Sequence, residues 1–236
     1  MTATTHGALP RTPEPELMNE AEQARAYAEA DFSIPHENFV DLFAERYGNL
    51  DELDAPCALD LGCGPGDVAL RFARRFPRVQ VDGLDGAQAM LAAAPPLFAR
   101  AEPGAAQRVQ LHFGLLPDDP PPRPCYDVII SNSLLHHLRD PMVLWRSAQR
   151  WAAADAIGFV MDLMRPHSEQ QARWMVQHYA GNEADLLQDD FLASLHAAYR
   201  LDEVHQQLAD AGLNHWNVEA VSDRHLIAWG RFPNNS

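Results

Sequence analysis

The ten residues Ala58-Leu59-Asp60-Leu61-Gly62-Cys63-Gly64-Pro65-Gly66-Asp67 constrain this chain more than any other segment, because an apolar run enters a turn carrying three alternating glycines. Glycine adopts backbone conformations and permits close approaches that a Cβ forbids, so such a turn at the end of a strand is suited to lying against a ligand. A second apolar run, Val81-Asp82-Gly83-Leu84, ends at Asp85. A carboxylate at the tip of the neighbouring strand can accept both hydroxyls of a ribose. The glycines are spaced G-x-G-x-G rather than the G-x-G-x-x-G of dinucleotide sites, and no Gly-Lys-Ser/Thr follows to hold phosphate. A ligand with a nucleoside but no pyrophosphate is expected.

The rest of the chain supplies the frame for that loop. With 236 residues and 47% hydrophobic content it can bury one full core. The sequence has no apolar run long enough to cross a membrane and no basic-then-apolar leader, so a cytoplasmic protein without membrane partners is expected. A formal charge of -15 disfavours nucleic acid, whose phosphates are bound by clustered cations. All 18 basic residues are arginine. Cys57, Cys63 and Cys125 have no C-x-x-C spacing and read as reduced thiols.

Residues 1–16, rich in Thr and Pro, read as a disordered tail, and residues 17–236 as a single domain. Within it, residues 17–50 hold two leading helices, Leu17 to Ala30 and Pro35 to Tyr47. Strands then alternate with helices: Cys57 to Leu61, Val79 to Leu84, Val109 to Phe113, Tyr126 to Ile130 and Ile157 to Leu163. An insert, residues 165–200, has two helical patterns and several aromatic residues. Two strand patterns, His215 to Val221 and Arg224 to Gly230, are joined by Ser222-Asp223 and predict a terminal hairpin.

The run Leu59-Asp60-Leu61-Gly62-Cys63-Gly64-Pro65-Gly66 resembles motif I of class I S-adenosylmethionine (SAM) methyltransferases, and Asp85 resembles their ribose-binding acid. The resemblance spans roughly residues 55–232. It implies an α/β, Rossmann-like, doubly wound seven-stranded sheet with a C-terminal antiparallel hairpin, and SAM as cofactor. It also implies cofactor contacts at Asp60, Gly62, Cys63, Gly64, Asp85, Gly86 and Met90, then at Gly114 and Leu115, and at Asn132 and His137 in the run Ser131 to Leu138. The family often has an acid beside adenine where this chain has Leu115, so backbone and apolar packing are expected to hold the base here. His136 and His137 raise the question of a metal. Neighbouring side chains diverge and no carboxylate or third histidine has ligand spacing with them, so no metal is expected, and His136 is assigned to capping or packing the next helix.

Substrate selection falls to the appended parts. The end of the fifth strand places Asp162 and Arg165 at the pocket mouth, the hairpin adds Asp223, Arg224 and His225, the leading helices add Tyr27, Asp31, Phe32 and His36, and the insert adds Tyr179. Aspartates hold an ammonium and an arginine fork grips a carboxylate, so the set suits a small zwitterion. Tyr27-Ala28-Glu29-Ala30-Asp31-Phe32, Asp162-Leu163-Met164-Arg165-Pro166 and Ser222-Asp223-Arg224-His225-Leu226 together resemble the methyltransferase part of ovothiol biosynthesis, which methylates an imidazole nitrogen of 5-thiohistidine. The resemblance implies that acceptor or its selenium analogue, with the insert as a lid. His137, Asp162 or His225 would keep the attacking nitrogen unprotonated. O- or C-methylation of another small metabolite and a non-catalytic SAM-binding regulator remain open, as do a monomeric and a homodimeric state.

Overall fold

Strands that are apolar on both faces need helices on both sides, and the alternation of the sequence supplies them. The structure, a computed structural model, describes residues 9–233. Two leading helices, α1 (Ala21–Glu29) and α2 (Ser33–Tyr47), precede β1 (Cys57–Leu61), α3 (Asp67–Arg75) and β2 (Gln80–Asp85). Three short helices follow, α4 (Gln88–Ala92), α5 (Pro95–Arg100) and α6 (Pro103–Ala106), before β3 (Val109–Phe113) and β4 (Tyr126–Asn132). The second half runs α7 (Met142–Trp151), β5 (Ala152–Leu163), α8 (Glu169–Ala180), α9 (Asp185–Ala197), α10 (Leu201–Asp210), β6 (Asn217–Ala220) and β7 (His225–Arg231).

The seven strands form one sheet in the order β3-β2-β1-β4-β5-β7-β6, parallel except for β7, which runs antiparallel to both β5 and β6. The strand order reverses between β1 and β4. The crevice outside their carboxyl ends is where open α/β sheets bind ligands. Alternation along β4 divides the core. Val128 and Ile130 join Phe39, Phe43 and Phe72 from α2 and α3 on one face, while Ile129 meets Trp145 and Trp216 on the other. Phe43 packs edge-on against Phe72, Phe76 and Phe159 and is fully buried. Truncating such a ring to alanine costs about 3–5 kcal/mol.

The hairpin is present with tighter bounds than the sequence pattern gave. His215 and Trp216 do not extend β6, because the Trp216 indole lies across the paired Gly158 and Gly230, where a Cβ on either would strike it. The disordered tail expected over residues 1–16 lies outside the described residues up to residue 8. From Leu9 the chain is a strap with defined partners. Leu9 and Thr12 donate backbone hydrogen bonds to His167 and His196, and Arg11 reaches the carbonyls of Ala197, His136 and Leu138. Among the described residues no helix is long and apolar enough to cross a membrane.

Candidate functional site

The glycine loop after β1 and the loop after β4 meet in the crevice. Gly62, Gly64 and Gly66 have φ of 72°, 54° and 89°, the left-handed region that L side chains avoid, which is why glycine recurs here. A Cβ on Gly62 would lie 2.8 Å from Leu134 Cδ1, and one on Gly64 would lie 3.2 Å from Met90 Cε. The loop is tied to β2 by Gly62 N–H donating to the Leu84 carbonyl at 2.9 Å and by Gly64 N–H donating to Asp85 Oδ2 at 2.8 Å. Asp85 Oδ1 accepts from Ala87 N–H at 2.7 Å. Each carboxylate oxygen keeps a lone pair, so two hydroxyls can still be accepted.

Asp60, at the end of β1, is 1% exposed, and its Oδ2 has no hydrogen-bond partner among the described residues. Burial first, and the Asp85 charge second, push its carboxyl well above the usual range. An orphaned buried acid beside a glycine cradle asks for a polar or cationic ligand. Gly86 and Met90 flank the same place, and Leu115 sits against Gly86, 2.8 Å from where its Cβ would be. Gly114 N–H caps the Asp85 carbonyl, and Cys63 is buried under the loop with its thiol pKa raised by burial. These residues fit SAM: the cradle for its methionine part, Asp85 for the ribose and the Leu115 side for the base. When bound, SAM supplies an electrophilic methyl group.

Tyr27 on α1 packs against Ala87 and Met90 and lies tilted against Phe32 at 4.6 Å between ring centroids, and Phe32 in turn lies 5.5 Å from the His36 ring. Burial, followed by the charges of Asp67, Asp85 and Asp60, raises the Tyr27 pKa and keeps its hydroxyl protonated. Tyr27, Phe32, His36, Pro65, Asp67 and Arg71 line a cavity of ≈ 280 Å³. His36 Nδ1 bonds Asp67 Oδ2 at 2.6 Å, and Arg71 Nε braces the same oxygen at 2.8 Å. Asp31 borders this cavity and accepts from Ser33 N–H, at the start of α2, at 2.9 Å.

Two substrate assignments change. Asp162 is 2% exposed, and its carboxylate accepts from Leu135 N–H and Leu163 N–H, both at 2.7 Å, and from His136 Nδ1 at 2.5 Å. It anchors the β4 exit loop and has no face for an ammonium. Arg165 is 4% exposed and spends its guanidinium on Leu9 O, Ala198 O and Glu203 Oε1 at 3.0, 2.8 and 2.6 Å. Its fork closes the strap against α10, leaving nothing to grip a carboxylate. Tyr179, Asp223 and Arg224 do come together, but on one another. Tyr179 O–H donates to Asp223 at 2.7 Å, and the Arg224 guanidinium lies 3.4 Å from the Tyr179 ring centroid. This tethers α8 to the hairpin turn.

The histidines separate by environment. His225 Nδ1 lies 3.2 Å from Ser222 Oγ, and burial, reinforced by Arg224, lowers its pKa to about 4. Burial, with the neighbouring His136 second, lowers the His137 pKa to about 3. Burial also opposes the charge of His136, but the Asp162 and Glu14 carboxylates outweigh it and raise its pKa. Asn132 ends β4 beside them. No carboxylate has ligand spacing with His136 and His137 in the sequence, but the fold brings one to them. Glu14, carried in by the strap, places Oε1 3.5 Å from His136 Nε2 and 3.3 Å from His137 Nδ1. Local spacing held no sign of Glu14, nor of the Asp67 clamp on His36.

The sheet order, with its antiparallel last strand and glycine loop at the switch point, is the Rossmann-like fold of class I methyltransferases. Residues 59–157 match the family model described as "Methyltransferase domain". An uncharacterized methyltransferase of Mycobacterium tuberculosis is 33% identical over 90 residues, which are 37% of this chain and 41% of that protein. A trans-aconitate 2-methyltransferase of the same species is 34% identical over 90 residues, 37% of this chain and 30% of that protein. The matched stretch is thus less than half the length of either relative. Among solved structures, a SAM-dependent methyltransferase from Aquifex aeolicus superposes with a TM-score of 0.64 at 15% identity, covering 90% of this chain and 98% of that one. The plantazolicin methyltransferase BpumL, solved with a triazolic desmethylPZN analog and SAH, gives 0.61 at 15% identity, covering 91% and 97%.

Proposed function

We propose that this protein is a SAM-dependent methyltransferase acting on a small zwitterionic imidazole, transferring the methyl group to a ring nitrogen of 5-thiohistidine or its selenium analogue. The observation that carries the cofactor reading is the glycine loop held to Asp85 beside the orphaned Asp60 carboxyl. Support for a ring-shaped acceptor comes from the aromatic row Tyr27, Phe32 and His36 along the adjoining cavity. With Asp162 and Arg165 occupied elsewhere, Asp31 or Asp223 remains for the ammonium and Arg224 for the carboxylate.

Methyl transfer to a neutral nitrogen needs alignment and exclusion of water more than proton transfer. The residues match that demand. Tyr27 closes the cofactor side with a hydroxyl that stays protonated, and the Asp67–His36 pair fixes an imidazole at the cavity wall. His225, held neutral, adds no positive charge against a nucleophile that itself becomes cationic.

A second reading is O-methylation of a small carboxylic acid, as the name of the trans-aconitate relative states for that protein. Arg100 borders the cavity and is the cation that such an acid would meet, since Arg71 is paired with Asp67 and Glu37. Incubation with SAM and 5-thiohistidine, histidine or trans-aconitate, followed by mass spectrometry, separates the readings. A mass gain of one methyl group on 5-thiohistidine is expected. Methylation of the acid alone would transfer the assignment to carboxylates.

A further inference from the structure

Two adjacent histidines on the β4 exit turn toward the same carboxylate oxygen of a segment from the far end of the chain. Glu14 Oε1 lies 3.5 Å from His136 Nε2 and 3.3 Å from His137 Nδ1. The three ligand atoms lie within 4.8 Å of one another. Neither contact forms a hydrogen bond of its own, and His137 Nδ1 is buried with no hydrogen-bond partner among the described residues. Atoms that face a common point without bonding each other are disposed as ligands. Two ligands of a tetrahedral ion with bonds of about 2.1 Å stand about 3.4 Å apart, close to both separations.

We propose that Glu14, His136 and His137 form a site for one divalent transition-metal ion, of the zinc type, which latches the N-terminal strap onto the β4 exit. Two imidazoles and one carboxylate match zinc, whereas magnesium and calcium take oxygen donors. The surroundings fit a metal-bound histidine. Asp162 accepts from His136 Nδ1, fixing the ring and directing Nε2 at Glu14, the carboxylate–histidine–metal arrangement that orients zinc ligands. Ser194 Oγ donates to Glu14 at 3.2 Å and holds the carboxylate from the α9 side. The ion thereby joins the strap, the insert and the cofactor crevice at one point, and the site stands whether or not the acceptor is an imidazole.

The full chain, stripped with a chelator, is titrated with Zn²⁺ by calorimetry and with Co²⁺ by visible absorption. One saturable equivalent is expected, with d–d bands of a four- or five-coordinate cobalt site. Glu14→Gln should weaken Zn²⁺ binding at least tenfold. Glu16→Gln, in the same strap but holding only Arg139 N–H, should leave it unchanged. If Glu14→Gln fails to fold by circular dichroism, His137→Gln serves in its place. No saturable binding, or equal affinity in wild type and the ligand variant, overturns the site, and so does an equal loss in Glu16→Gln.

Discussion

The Gly64 N–H donates to Asp85 Oδ2 at 2.8 Å, so the cradle of the first strand and the acid of the second are one rigid unit. Asp85 is held from the other side by Ala87 N–H, which fixes its carboxylate at the crevice. Preorganisation of this kind lowers the ordering cost of binding.

Replacement of Asp85 by alanine removes that link and, on the proposed reading, the acceptor for two ribose hydroxyls. SAM affinity measured by calorimetry should fall at least tenfold, or about 1.4 kcal/mol. An unchanged affinity would remove Asp85 from the cofactor site.

Arg165 makes three bonds to the strap, the α9 end and α10 rather than to a ligand. Arg165→Ala strands those acceptors and should cost about 2 kcal/mol, lowering Tm by roughly 4–8 °C for a chain of this size. The KM for the acceptor should not change. A raised KM with an unshifted Tm would restore Arg165 to substrate binding.

His225 is held near a pKa of about 4, below the ordinary histidine value of 6.5. As pH falls from 7 through 6.5, the unfolded chain gains a proton that the folded chain refuses until about 4, so stability must drop across that window. Below it both forms are protonated and the contribution is gone. His225→Asn should therefore show a shallower loss of Tm than the wild type between pH 7 and 4.5. Parallel slopes would mean that His225 titrates normally.

The insert α8–α9 packs Ala172, Met175 and Leu195 in one buried cluster with Leu163 of β5, and its rim makes polar contacts, Tyr179 to Asp223 and Gln23 to Asp190. Trp174 on α8 stays 53% exposed, beside His178 at 4.7 Å. An aromatic surface of this sort suits closure over a bound acceptor. Hydrogen exchange across residues 169–197 should slow when SAM and acceptor are both present. Equal exchange in the two states would make the insert fixed structure.

Much of this protein is written locally. The glycine turn, the Asp85 spacing, the five parallel strands and the terminal hairpin follow from periodicity and turn chemistry, which act over a few residues, so the sheet and the glycine-loop crevice were legible in the sequence. Tertiary structure decided which polar side chains are free. Asp162 near the end of β5 and Arg165 just beyond it read as a pocket mouth, yet the fold buries both against backbone groups that no local pattern names. Glu14 belongs to a stretch without periodicity, and only the path of the strap brings it to His136 and His137. Helix and strand patterns encode which face is apolar, but the partner of a buried charge is set by chain topology, because segments distant in sequence must supply it.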